Sequence, residues 1–120
     1  MAKNLEISFL LDFYGDMLTE KQREVIEYYY NDDLSLSEIA DNEGITRQGV
    51  RDSIKRAETQ LLEMEERLGL AKRFREMRAG LETIIAAAEQ IKKTNEHSLN
   101  SRELEEQSRL ILTIAQKLCE

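Results

Sequence analysis

Apolar residues recur at three- and four-residue steps through most of this chain, and the polar interruptions between the runs divide it into helices. Leu5, Phe9, Leu10, Phe13, Tyr14, Met17 and Leu18 line one side of a first helix over about residues 5–16. Thr19 is placed to cap a second, because its hydroxyl can accept from the free amides of the next turn and Glu20 sets negative charge at the positive end of the dipole. Val25, Ile26, Tyr29 and Tyr30 form the apolar side of that helix. Asn31, Asp32 and Asp33 end it, since short polar side chains compete for backbone hydrogen bonds.

Ser35 and Glu38 have the spacing of a capping box, which starts a short helix at Leu36. Ile39, Ala40, Gly44, Ile45, Val50 and Ile54 then fit a helix-turn-helix. Ala40 lets two helices approach, Gly44 turns the chain through positive φ, and Ile39, Ile45 and Val50 form a shared core. Thr46 caps the next helix, along which Ile54, Ala57, Leu61, Met64 and Leu68 alternate steps of three and four up to Gly69. Phe74, Met77, Leu81, Ile84, Ala88 and Ile91 continue that rhythm through a long helix over 71–93, in which Gly80 is a weak spot. A polar loop over 94–101 precedes a last helix over 102–118, whose apolar face is Leu104, Leu110, Ile111, Ile114 and Leu118. The expected class is all-α, with a helix-turn-helix domain over 1–68 and a C-terminal helical extension over 69–120.

Composition narrows the function. The chain has 120 residues, with 17 Lys and Arg against 24 Asp and Glu, no Pro and one Cys, for a net charge of −7. No apolar stretch exceeds the five residues Ile84–Ala88, and MAKNLEIS at the start lacks a signal-peptide pattern, so a cytoplasmic protein without a membrane span is expected. Residues 1–34 hold three basic and eight acidic side chains, whereas Arg47–Arg56 hold four basic and one acidic. Affinity for nucleic acid is largely phosphate neutralisation, so any contact is local to that basic island. An enzyme is not expected. His97 is the only histidine, Cys119 reads as an exposed terminal thiol, the glycines are isolated, and Glu65 and Glu66 diverge on a helix; no metal or cofactor is expected either.

The candidate nucleic-acid-binding residues are Arg47, Gln48, Arg51, Lys55 and Arg56 at the start of the second helix of the motif, where arginine forks onto guanine or phosphate and glutamine onto adenine. Gly49 and Asp52 weaken that face, one by supplying no side chain and the other by repelling phosphate. The alternative is a solvated face in which Arg51, Lys55 and Arg56 pair with Asp52 and Glu58. A second basic patch, Lys72, Arg73, Arg75 and Arg78, surrounds Phe74 and would suit an RNA-containing partner if the ring stacks a base. Alternatively Phe74 is core and these cations pair with Glu76 and nearby acids. Of Tyr28, Tyr29 and Tyr30, which point three ways, at least one is core.

LTEKQREVI (18–26), SLSEIA (35–40) and GITRQGVRD (44–52) resemble region 4 of bacterial sigma factors. FYGDMLT (13–19), YYYNDDLSLSEIA (28–40) and RAE (56–58) more closely resemble the YlxM family, small bacterial helix-turn-helix proteins typically encoded beside the signal recognition particle GTPase. The chain lacks the other sigma-factor regions, so the resemblance does not imply promoter recognition. It implies a regulatory or accessory protein of the signal recognition particle pathway, with that GTPase or its RNA as partner. The recognition-helix pattern alone points instead to DNA and a transcriptional regulator. The apolar faces of the last helices exceed what one small core can cover, and a homodimer contacting mainly beyond residue 55 is expected.

Overall fold

The computed structural model describes residues 2–120 and is all-α: α1 (Leu5–Tyr14), α2 (Glu20–Tyr30), α3 (Leu36–Glu43), α4 (Arg47–Leu68), α5 (Leu70–Thr94) and α6 (Arg102–Cys119). A 3-10 turn, Gly15–Met17, follows α1, and a π-helical turn, Asn95–Leu99, follows α5. The helices make two compact units, one ending at Lys72 and one of Arg73–Glu120.

Local chemistry sets the boundaries. The Thr19 hydroxyl accepts from the Gln22 amide at 3.2 Å, and the Gln22 side chain accepts from the Thr19 amide at 3.2 Å, a reciprocal box that satisfies two free donors. Ser35 and Glu38 make the same pair of bonds at 3.1 Å each. Thr46 caps α4 by accepting from the Gly49 amide at 3.0 Å, and Ser101 caps α6 by accepting from the Leu104 amide at 3.2 Å. Gly44 at φ 67° ends α3 and Gly69 at φ 63° ends α4, in the left-handed region where a side chain is strained.

In the first unit α4 is the central element, packed on α1, α2 and α3. Val50, Ile54, Ala57 and Leu61 form its buried stripe and meet Ile7, Leu10, Tyr14, Val25, Ile26 and Ile39, all fully or nearly fully buried. Four positions depart from expectation. The core stripe of α1 is Ile7, Leu10, Leu11 and Tyr14, while Leu5 is 85% exposed. Leu5 lies about 200° around the helix from Ile7, so both cannot face the core. Met17 is 69% exposed because α1 stops at Tyr14 and the 3-10 turn breaks the helical period. Ile45, expected in the motif's shared core, is 42% exposed, because the reversal at Gly44 carries it to the rim while Ile39 and Val50 stay buried. Of the expected α4 seam, Met64 is half-buried and Leu68, at the helix end, is exposed.

The second unit is a hairpin of α5 and α6. Its turn is helical where a loop was expected, because the side chain of buried Asn95 closes it. Asn95 Nδ2 donates to the Ser101 carbonyl and the Ser101 amide donates to Asn95 Oδ1, both at 2.8 Å. His97 lies within this turn. Ala88 of α5 and Ser108, Leu112 and Ala115 of α6 are buried, and Cys119 is half-buried instead of exposed.

Candidate nucleic-acid interface

The first turns of α4 carry the candidate face; two interhelical contacts fix α4 beneath it and a third ties α2 to α3. Lys21 of α2 pairs with Glu43 at the end of α3, whose side chain is only 4% exposed, and this bond first of all raises the Lys21 pKa. The Tyr30 hydroxyl donates to Glu58 Oε2 of α4 at 2.5 Å and accepts from the Asn4 amide at 3.2 Å. Burial, reinforced by the Glu58 carboxylate, pushes the Tyr30 phenol up to about 12. The Tyr14 hydroxyl donates to Glu65 Oε1 at 2.6 Å, and the same carboxylate accepts from the Ala71 and Lys72 amides at 3.0 and 2.9 Å. Burial, and next the bond to Glu65, also raise the Tyr14 pKa.

Buried Val50, Ile54, Ala57 and Leu61 occupy one side of α4, so at about 100° per residue Gln48, Asp52 and Lys55 point away from the core. Arg47, Gln48 and Arg51 line a shallow depression together with Leu36 of α3. Lys55 lies on the same side one turn further along. Arg56 is exposed and lies about 100° beyond Lys55 by helical register. Arg51 was expected fully exposed. It is half-buried at the edge of the core stripe, and its Nε is shielded from solvent without a hydrogen-bond partner. Gln48 Nε2 donates to Asp52 Oδ1 at 2.9 Å, so its amide is engaged along the helix. Gly49 has a structural reason: a Cβ there would come within 3.2 Å of the Thr46 hydroxyl that caps α4.

The expected alternative, ion pairs from Arg51, Lys55 and Arg56 to Asp52 and Glu58, does not form among the described residues. Glu58 serves Tyr30 instead. The second basic group is exposed on α5. By helical register Lys72, Arg75 and Arg78 run along one side and Arg73 lies about 100° from the nearest of them. Arg78 pairs with Glu82 at 3.4 Å. Phe74, expected either to stack a base or to be core, is 38% exposed beside Met77, Leu81 and Leu118. Tyr29 and Tyr30 are core, and Tyr28 is half-buried.

Sequence reasoning missed Glu65, Glu43 and Ile7. Tyr14, a hydroxyl at the edge of an apolar stripe, was the one available sign that a buried acceptor waits nearby. Among the described residues no group of His, Cys, Asp and Glu could hold a metal ion, and no helix is long and apolar enough to cross a membrane.

Comparison with known proteins agrees with this architecture. Residues 1–102 match the family described as "Putative helix-turn-helix protein, YlxM / p13 like" (UPF0122). The chain is 45% identical over 98 residues to UPF0122 protein ABC2295 of Shouchella clausii, spanning 79% of this chain and 90% of that one. It is 41% identical over 97 residues to a UPF0122 protein of Bacillus cereus, spanning 81% and 84%. With a UPF0122 protein of Thermoanaerobacter it shares 51% identity over 80 residues, spanning 67% and 68%. The helix-turn-helix of α3 and α4, the capped starts of α2, α3 and α4 and a match over 102 of the 120 residues place the chain in the YlxM family of helix-turn-helix proteins.

Proposed function

We propose that this protein is a non-enzymatic, cytoplasmic regulatory or accessory protein that binds nucleic acid through the first turns of α4. The observation that carries the reading is the Arg51 Nε, a shielded donor without an acceptor at the rim of a depression that also presents Arg47 and Gln48. Shielded donors in native proteins nearly always have partners, and a turn of the Arg51 side chain outward onto a phosphate or guanine oxygen in this depression would supply one. Fluorescence anisotropy against labelled duplex DNA and structured RNA tests it. Arg51→Ala should weaken binding at least tenfold while leaving the circular dichroism spectrum unchanged. Equal affinity of Arg51→Ala and wild type would move the site to Lys72, Arg75 and Arg78.

Family resemblance supports a place in the signal recognition particle pathway, with the GTPase or its RNA as partner, and the charge of −7 favours the protein partner, because an acidic chain is a poor general ligand for a polyanion. The recognition-helix arrangement supports DNA and a transcriptional role as the second reading. A pull-down from bacterial lysate with and without nuclease separates them: a nuclease-resistant complex favours the protein partner. The working modules in this proposal are residues 1–68 and 69–120, parted at Gly69, and the assembled form is a homodimer.

A further inference from the structure

Each helix of the α5–α6 hairpin carries a mixed stripe that joins it to the other and, beside it, an apolar stripe that is not used inside the chain. The stripe that joins the helices is Leu81, Ile85, Ala88, Lys92 and Asn95 on α5 against Glu105, Ser108, Leu112, Ala115 and Cys119 on α6, each residue buried or half-buried. The larger apolar side chains are left outside. Met77, Ile84 and Ile91 recur every seven residues on α5, and Leu104, Ile111 and Leu118 do the same on α6. All six count as exposed, with Ile84 at 49%, Ile111 at 41% and Leu118 at 60%.

At about 100° per residue each outer stripe is rotated from its joining stripe in the same angular sense along its own chain direction. The two helices run antiparallel, so equal rotations bring both outer stripes to one face of the hairpin. On that face Ile84 lies level with Leu118, and Ile91 with Ile111. The face is uncharged from Met77 to Ile91 and from Leu104 to Leu118, its other members being Gly80, Ala87, Gln107 and Ile114, in a chain that is 34% charged.

We infer that this face docks on the same face of a second copy, so that two hairpins close a four-helix bundle with Ile84, Ile91, Ile111 and Leu118 at its centre. A seven-residue repeat on both helices asks for helical cover of the same repeat, which an identical hairpin supplies. An uncharged face is also where two chains of net charge −7 meet without juxtaposing like charges. The 18 residues of α6 span about 27 Å, and two helices side by side are about 20 Å wide, so the pairing buries on the order of 1,200 Å² in total, the lower edge of stable interfaces. Gly80, which has nothing within 4 Å of its would-be Cβ, leaves room for the partner helix at the rim.

The inference deepens the homodimer part of the proposed function and is independent of its nucleic-acid part. The test is sedimentation equilibrium of the full chain between micromolar and submillimolar concentration. The expected result is twice the 14.0 kDa chain mass, falling toward the monomer on dilution. Ile84→Ala with Ile111→Ala preserves helix propensity and should raise the dimer dissociation constant by roughly a hundredfold or more. Leu5→Ala, exposed but off the face, should leave it unchanged. A chain that stays monomeric at every concentration overturns both the dimer and the surface. A dimer that ignores the double substitution overturns the surface and keeps the dimer, and a monomer that sediments with lipid vesicles assigns the face to a membrane instead. Nucleic-acid affinity of the monomeric variant, measured separately, reports on the α4 reading alone.

Discussion

Two tyrosines show how single residues bind the first unit together. Tyr30 is held neutral by burial and by its bond to Glu58, with its phenol at about 12, above the ordinary value near 10. A folded-state pKa raised above the unfolded value contributes stability that is fully present below pH 10 and is lost as pH rises through about 12. Tyr14 shifts in the same direction. The expected result is a phenolate absorbance titration with a late component and an alkaline loss of stability, both reduced in Tyr30→Phe. Gly44 is a second residue-scale case. Its φ of 67° strains any Cβ, so Gly44→Ala should cost about 1–2 kcal/mol, read as a lowered urea midpoint at unchanged slope. Gly80 is the opposite, being helical with open space around it. Gly80→Ala should raise stability by about 0.5–1 kcal/mol in the monomeric background of Ile84→Ala with Ile111→Ala, where no partner helix crowds the site.

At the scale of elements, helix ends were legible in the sequence and burial was less so. Thr19, Ser35, Thr46 and Ser101 each cap through a bond to an amide three residues on, and such local chemistry is visible without the fold. Ile7 against Leu5, and Ile39 against Ile45, are decided by which neighbour the helix leans on, which no local spacing states. The candidate face was partly legible for the same reason. Arg47 and Gln48 are exposed as expected, whereas Arg51, expected exposed as well, is half-buried at the boundary of the core stripe. Glu65 lay beyond reach, since its partners are Tyr14, 51 residues earlier, and the first amides of α5. Those amides would otherwise be free donors at a helix start. Glu65→Ala should therefore unsettle α5 at its origin. Amide hydrogen exchange at Ala71 and Lys72 should accelerate while that at Val50 and Ile54 stays slow.

For the whole molecule, charge sets the limits of binding. Even with Arg56 counted beside Arg47, Arg51 and Lys55, the first turns of α4 neutralise no more than about four phosphates. The slope of log affinity against log salt should then be no steeper than about −4. A steeper slope on duplex DNA would require the cations of α5. The acidic balance of the remaining surface works against a general polyanion ligand and favours a short, defined contact.

The closure of the α5–α6 turn carries a consequence for chemical ageing. Asn95 is 3% exposed and holds Ser101 with one donated and one accepted bond, both at 2.8 Å. Conversion of its amide to a carboxylate changes neither shape nor volume, yet it replaces the donor by a second acceptor facing the Ser101 carbonyl. The turn would then lose one bond and gain a repulsion, on the order of 1–3 kcal/mol against the hairpin. Asn95→Asp mimics the aged chain, and faster exchange of the first α6 amides would report a hairpin opening from its turn while the α4 helix stays intact.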